Sequence, residues 1–120
     1  MPAARPQPEM PVGLRSRKHI MPFDLVRPAT AEEACAAMTA SGRNVYMAGG
    51  LDLIDRMKGG EAFDRVIRLD GIAAMHGIHR TDAAITIGAL TTHAEIARSD
   101  VLADAVPGLP ALWRAIANPR

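Results

Sequence analysis

The stretch Val45-Tyr46-Met47-Ala48-Gly49-Gly50-Leu51-Asp52 decides the fold of the first half of this chain. It predicts a strand that runs directly into two glycines and then into the start of a helix. Glycines let the backbone turn sharply and let a bulky anion approach, and a helix start offers unpaired N–H groups and the positive end of a dipole. A pyrophosphate site has these requirements. The stretch is neither a G-x-G-x-x-G fingerprint nor a P-loop, and a tight turn without a ligand also fits it.

A βαβ unit is predicted around this turn. Residues 23–26 form a short extended segment, and Thr30 and Glu33 match a capping box for a helix that runs to about Thr39 or Ala40. The elements predicted next are a strand over 44–48, a helix over 52–58 and a strand over 65–69.

The second half of the chain predicts a hairpin followed by helices. Residues 77–80 and 83–89 are its two strands, and Thr92 and Glu95 form a second capping box for a helix that reaches about Ser99. A helical turn is predicted over 101–106, and a last helix presents one apolar face, made of Leu109, Leu112, Trp113 and Ile116. This mixed order predicts an α+β fold, a βαβ unit with part of a second sheet. Because a two-stranded sheet is marginal alone, we expect the hairpin and last helix to need a partner surface.

Composition argues against several classes of protein. The chain has 120 residues, 48% of them hydrophobic and 22% charged, which predicts collapse around an apolar core. Aromatic residues make up only 3%, which argues against a nucleic-acid surface built from stacking side chains. Residues 1–20 carry four basic and one acidic side chain and four prolines. We therefore expect residues 1–21 to be a disordered N-terminal extension, and we expect no nucleic-acid partner.

The remaining reactive residue types give no further site. Cys35 is the only cysteine, and it is predicted to be buried among the alanines of the first helix. His76 and His79 have no carboxylate or cysteine beside them to complete a metal site, and His93 suits a structural role at a helix start. We predict no metal site and no catalytic residue. No apolar run approaches the roughly 20 residues of a membrane span, so we expect a cytoplasmic protein without membrane contact.

Several segments, taken in order, carry a resemblance to a known family. They are Phe23-Asp24-Leu25-Val26-Arg27-Pro28-Ala29-Thr30, Ala48-Gly49-Gly50-Leu51-Asp52-Leu53-Ile54, Met57-Lys58-Gly59-Gly60, Ile87-Gly88-Ala89-Leu90-Thr91-Thr92-His93-Ala94-Glu95-Ile96 and Ile116-Ala117-Asn118-Pro119. Together they resemble the FAD-binding (medium) subunit of molybdenum hydroxylases of the aerobic carbon monoxide dehydrogenase and xanthine dehydrogenase type. The resemblance covers residues 22–120.

The resemblance implies a two-lobed FAD-binding domain of the vanillyl-alcohol oxidase (PCMH) type. Residues 22–75 would form the small βαβ-type first lobe, and residues 76–120 would begin the second lobe, which the chain carries only in part. FAD would lie between the lobes. Its pyrophosphate would contact the loop made of Met47, Ala48, Gly49, Gly50, Leu51, Asp52, Leu53 and Ile54.

The resemblance also implies an oxidoreductase with two partner subunits. Electrons would leave a molybdopterin-binding large subunit, cross two [2Fe–2S] clusters of a small subunit, reduce FAD and pass to an acceptor.

Two features of this chain depart from the family's pattern. The family usually has a hydroxyl or other polar residue where Leu51 stands, so only backbone N–H groups remain there for phosphate. The sequence stops at Arg120, before the family's second glycine-rich loop, and we therefore expect the isolated chain to bind FAD weakly or not at all. A remnant without catalysis and a small interaction domain on the same scaffold are the alternatives.

Overall fold

A computed structural model of the protein describes residues 19–116. The N-terminal extension expected over residues 1–21 therefore lies outside the described residues except for its last three. The family-like segment at 116–119 likewise falls outside them after Ile116.

Five strands and five α-helices make up the described part, with one 3₁₀ turn at Ala73–Met75. In chain order they are β1 (Asp24–Val26), α1 (Ala31–Thr39), β2 (Asn44–Met47), α2 (Leu51–Lys58), β3 (Arg65–Arg68), β4 (Ile78–Arg80), β5 (Ile85–Ile87), α3 (His93–Ala97), α4 (Asp100–Ala105) and α5 (Leu109–Ile116). The expected mixture of helix and strand is thus confirmed. None of the helices within residues 19–116 has the length and apolar character that a membrane crossing requires.

The first sheet is parallel and has the strand order β1-β3-β2. Leu25 and Val45 both pair with Val66 of the central strand, one from each side. Both crossovers are helical, as the predicted βαβ pattern requires. Since all three strands run the same way, their carboxyl ends meet at one edge, and the glycine turn after β2 lies at that edge.

Helix α1 covers one face of this sheet. The Thr30 hydroxyl accepts a hydrogen bond from Glu33 N at 3.2 Å, which confirms the predicted cap, while the Glu33 carboxylate accepts from Ala29 N instead of Thr30 N. Buried Ala34 packs with Ile67 and Ile72. The prediction that Cys35 is buried is wrong: its side chain is exposed. It directly follows Ala34, and successive helical side chains point about 100° apart.

Helix α2 covers the opposite face. Leu53 and Met57, one turn apart, are buried together with Phe63 and Val66 of the chain that follows. This packing fixes the direction of α2 relative to β2, and thereby the angle at which the chain leaves the glycine turn.

The second sheet is the antiparallel hairpin β4-β5. Its connection has four residues, 81–84, instead of the predicted two, because Thr81 and Ala84 bond to each other through Thr81 N→Ala84 O at 2.8 Å. Strand β5 is also shorter than predicted. It ends before Gly88, where an added Cβ would overlap the carbonyl oxygen of Met75. The backbone after β5 contacts the end of the 3₁₀ turn, where Leu90 N donates a hydrogen bond to Met75 O at 2.9 Å.

Three short helices complete the described chain. The capping box of Thr92 and Glu95 is confirmed, but α3 ends at Ala97 and not near Ser99, because the Ser99 hydroxyl instead caps α4 through Leu102 N. His93 has the expected structural role, since its Nδ1 accepts a hydrogen bond of 2.6 Å from Trp113 Nε1.

The predicted apolar face of α5 is only partly covered within the described chain. Leu109 and Trp113 are half-buried, whereas Leu112 is 61% and Ile116 64% exposed. The expectation that this helix needs a partner surface agrees with that exposure.

Candidate functional site

The glycine turn connects the end of β2 to the start of α2. Ala48 and Gly49 are exposed, and Gly50 begins the helix in the left-handed region, with φ of +83°. Only glycine adopts that conformation without strain. A Cβ added at Gly49 would meet no atom within 4 Å, so the space beside this residue is open.

The first turn of α2 has no side-chain cap. Helices α1, α3 and α4 are each capped by a hydroxyl, from Thr30, Thr92 and Ser99. In α2 the first intrahelical bond runs from Ile54 N to Gly50 O at 2.9 Å. Helical geometry therefore leaves the N–H groups of residues 51–53 without an intrahelical acceptor. These donors, with the positive end of the helix dipole, suit a phosphate.

A cleft of about 370 Å³ opens beside this turn. Its lining residues are Val45, Tyr46, Met47, Ala48, Gly49, Gly50, Leu51, Asp52, Leu53 and Arg56. Seven of the eight residues predicted to bind the cofactor are among them, and Ile54 is not.

The predicted residues differ in what they offer a ligand. The Leu53 side chain is buried in the core at 6% exposure, so only its N–H group is available. The Met47 side chain packs against the same core. Leu51 is 88% exposed. Its side chain contributes no hydrogen bond, and a ligand beside it must be held by main-chain groups.

Two charged side chains of opposite sign line the cleft. The Asp52 carboxylate lies 3.7 Å from Arg56 Nη1, one helical turn away. Arg56 is also bound by Glu61, through Nε at 2.9 Å and Nη2 at 2.8 Å. The Glu61 partner raises the pKa of the Arg56 guanidinium, and the same contact lowers the pKa of Glu61.

Sequence reasoning missed three of the lining residues, Val45, Tyr46 and Arg56. Arg56 had a detectable signal, because Asp52 and Arg56 stand at the i, i+4 spacing that pairs side chains on a helix. Tyr46 had none, since its position depends on α1: its hydroxyl donates to Ala34 O at 3.4 Å. Partial burial raises the pKa of the Tyr46 phenol, and Cys35 beside it raises that pKa further.

The histidines take other roles. His76 Nε2 lies 3.2 Å from the Asp70 carbonyl oxygen, and His79 is exposed on β4. Within residues 19–116 no three His, Cys, Asp or Glu side chains are grouped so as to hold a metal ion.

The described fold is similar to that of three solved enzymes. The CO dehydrogenase from Oligotropha carboxidovorans matches with a TM-score of 0.74 and 32% identity, over 82% of this chain and 35% of that chain. The carbon monoxide dehydrogenase from Hydrogenophaga pseudoflava matches with a TM-score of 0.73 and 24% identity, over 81% of this chain and 34% of that chain. The quinoline 2-oxidoreductase from Pseudomonas putida 86 matches with a TM-score of 0.77 and 20% identity, over 84% and 36%.

At their lower identities, the second and third matches show a likeness of fold alone. The chain spans about a third of the length of each matched chain, 34–36%. No curated protein matches the chain significantly in sequence. A family model described as the FAD binding domain in molybdopterin dehydrogenase matches residues 21–120. The chain therefore belongs to this family of FAD-binding domains, whose cofactor is FAD.

Proposed function

We propose that this chain supplies the loop that binds the pyrophosphate of FAD in an oxidoreductase of the molybdenum hydroxylase type. The observation that carries the proposal is the uncapped start of α2, where Gly50 offers no side chain and the N–H groups of residues 51–53 have no intrahelical acceptor. Because the chain belongs to a family of FAD-binding domains, we take FAD as the ligand of this anion site.

The geometry of the loop fits a pyrophosphate. Gly49 lines the cleft without a side chain, and the position where its Cβ would stand is free of protein atoms. A phosphate can therefore approach the backbone closely. Since Leu51 contributes no hydroxyl, binding rests on main-chain donors, each charge-assisted by the ligand.

The wider architecture is part of the proposal. The chain contains two separate sheets, the parallel one over residues 24–68 and the hairpin over 78–87. This division supports a first lobe at residues 22–75 and a second lobe that begins at residue 76, in a two-lobed PCMH-type domain with FAD between the lobes.

The redox role is also a proposal. When bound, FAD supplies the electron-carrying chemistry, taking electrons from the [2Fe–2S] clusters of a small subunit that serves a molybdopterin-binding large subunit. The residues of this chain bind and orient the cofactor, and none is assigned a catalytic role. A cytoplasmic location stays a prediction that rests on the lone Cys35 and the absence of an apolar run in the sequence.

A titration with FAD tests the binding proposal. The ¹⁵N-labelled full chain is followed by NMR, which detects even millimolar affinity, and we expect the amide signals of residues 49–53 to shift. Shifts confined to other parts of the chain, or none at saturating FAD, would refute the loop assignment. Purification from the native source, with identification of co-purifying subunits and flavin, tests the partners.

A second candidate function is a small interaction domain on the same scaffold. The exposure of Leu112 and Ile116 on α5 favours it, because these side chains form an apolar face that another surface must cover. Native complexes that contain this chain but no flavin would support this alternative over the first.

A further inference from the structure

Arg56 is the only cationic side chain among the residues that line the cleft in the described part of the chain. The other charged lining residue is Asp52, whose carboxylate is 87% exposed beside the uncapped N–H groups. A second negative charge brought to this helix start is repelled by Asp52. A cation beside the helix start would therefore favour a ligand that brings a second phosphate group.

The guanidinium of Arg56 is held with one nitrogen left over. Glu61 takes the Nε and Nη2 edge in a bidentate pair, at 2.9 and 2.8 Å. The plane also lies over the Phe63 ring, with 5.7 Å between Cζ and the ring centroid. Nη1, in contrast, is 3.7 Å from Asp52, too far for a hydrogen bond.

This arrangement leaves a preorganised donor on a residue that lines the cleft. Because Glu61 binds one edge of the guanidinium and the Phe63 ring lies against its face, little conformational freedom is lost when Nη1 gains a partner. Arginine N–H groups match phosphate oxygens in geometry and make charge-assisted hydrogen bonds. Arg56 also stands one turn beyond the free N–H groups of α2, a displacement of about 5 Å along the helix.

We propose that Arg56 binds the second phosphate of the dinucleotide, through Nη1, while the start of α2 binds the first. This inference rests on the proposed function of the 48–52 loop. It makes Arg56 a specificity-determining residue that favours pyrophosphate ligands over monophosphates.

The test compares the binding of ADP with that of AMP on the parent full chain and on its variants. Arg56→Gln removes the cation from the cleft. Arg43→Gln is the matched control, because Arg43 also pairs with Glu61, at 3.2 Å, and also lies over Phe63, at 4.7 Å, yet does not line the cleft. Affinities are measured from amide shifts of residues 49–53 on ¹⁵N-labelled protein.

The expected results are specific to the ligand and to the position. Arg56→Gln weakens ADP binding by roughly tenfold, the effect of one lost charge-assisted hydrogen bond at a solvent-exposed site, and AMP binding by less than about twofold. Arg43→Gln changes neither affinity by more than about twofold. Arg56→Lys, which keeps the charge but loses the planar fork, gives an intermediate affinity for ADP.

Four results would overturn the inference. If Arg56→Gln weakened the affinities for ADP and AMP equally, Arg56 would act through the loop or through the total charge. The same conclusion would follow if Arg43→Gln weakened the affinity for ADP as much as Arg56→Gln does. A loss of ADP affinity that disappears in the Asp52→Asn background would show that Arg56 only neutralises Asp52. If the parent chain binds neither ADP nor FAD, the proposed function itself fails, whereas parent binding that Arg56→Gln leaves unchanged refutes this inference alone.

Discussion

The substitution Gly49→Val is expected to weaken ligand binding at this turn without weakening the fold. The φ of Gly49 lies outside the left-handed region, and its added Cβ would meet no protein atom within 4 Å. The substitution therefore requires no left-handed backbone conformation, and its Cβ meets no protein atom. We expect the free energy of unfolding to change by no more than about 0.5 kcal/mol, the usual range for an exposed position.

The effect on FAD binding is expected to be much larger. The side chain of Gly49→Val occupies the open space beside the loop, where a phosphate approaches the main chain. Displacing the phosphate breaks at least one main-chain hydrogen bond to a charged acceptor, worth about 1.5–3 kcal/mol. At about 1.4 kcal/mol for each factor of ten, FAD affinity should fall roughly tenfold to a hundredfold.

Two measurements on the same protein samples decide the result. Urea unfolding gives the stability, and NMR titration with FAD gives the affinity. Gly60→Ala is the control, because Gly60 has φ of +109° and open space around it but lies at the far end of α2. It should cost about 1–2 kcal/mol of stability and leave FAD affinity unchanged. Gly49→Val protein that binds FAD as tightly as the parent would refute the loop assignment.

Two further predictions concern side chains near the turn. Leu51→Thr should tighten FAD binding roughly tenfold, because a hydroxyl adds one hydrogen bond to phosphate at a position that is 88% exposed; Leu51→Ala is the control, and an equal gain in both variants would contradict the reasoning. Arg56 holds the pKa of Glu61 below its ordinary value of 4.5, so this pairing stabilises the fold above that pH and is lost as the pH falls through the lowered pKa. The difference in urea midpoint between parent and Glu61→Gln should therefore be largest near neutral pH and shrink below about pH 4; a constant difference would show that the carboxylate charge is not responsible.

Most secondary structure was predictable because its causes are local. Thr30 and Thr92 stand directly before their helices and accept hydrogen bonds three residues on. The glycine pair after β2 marks the turn because Gly50 needs a positive φ. The errors lie at element ends, as in α3, where Ser99 satisfies the next helix instead of continuing the previous one.

The residues of the candidate site also differ in whether local sequence or tertiary contacts bring them there. Residues 47–53 are contiguous, so the sequence alone predicted that they lie together in one loop. The family resemblance identified FAD as the expected ligand. The i, i+4 spacing of Asp52 and Arg56 was a local signal, but the position of the Arg56 guanidinium also depends on its contacts with Glu61 and Phe63. Those contacts depend on the path of the chain between α2 and β3, which no local pattern specifies.

The sequence by itself determined that this chain has a strand, two glycines and an uncapped helix start in direct succession, because hydrogen bonding and backbone sterics act over a few residues. Only the tertiary structure decided the strand order β1-β3-β2, the exposure of Cys35 and the 88% exposure of Leu51. These depend on which faces of α1 and α2 pack against the sheet. This packing depends on apolar surfaces that are distant in sequence and come into contact only when the whole chain is folded.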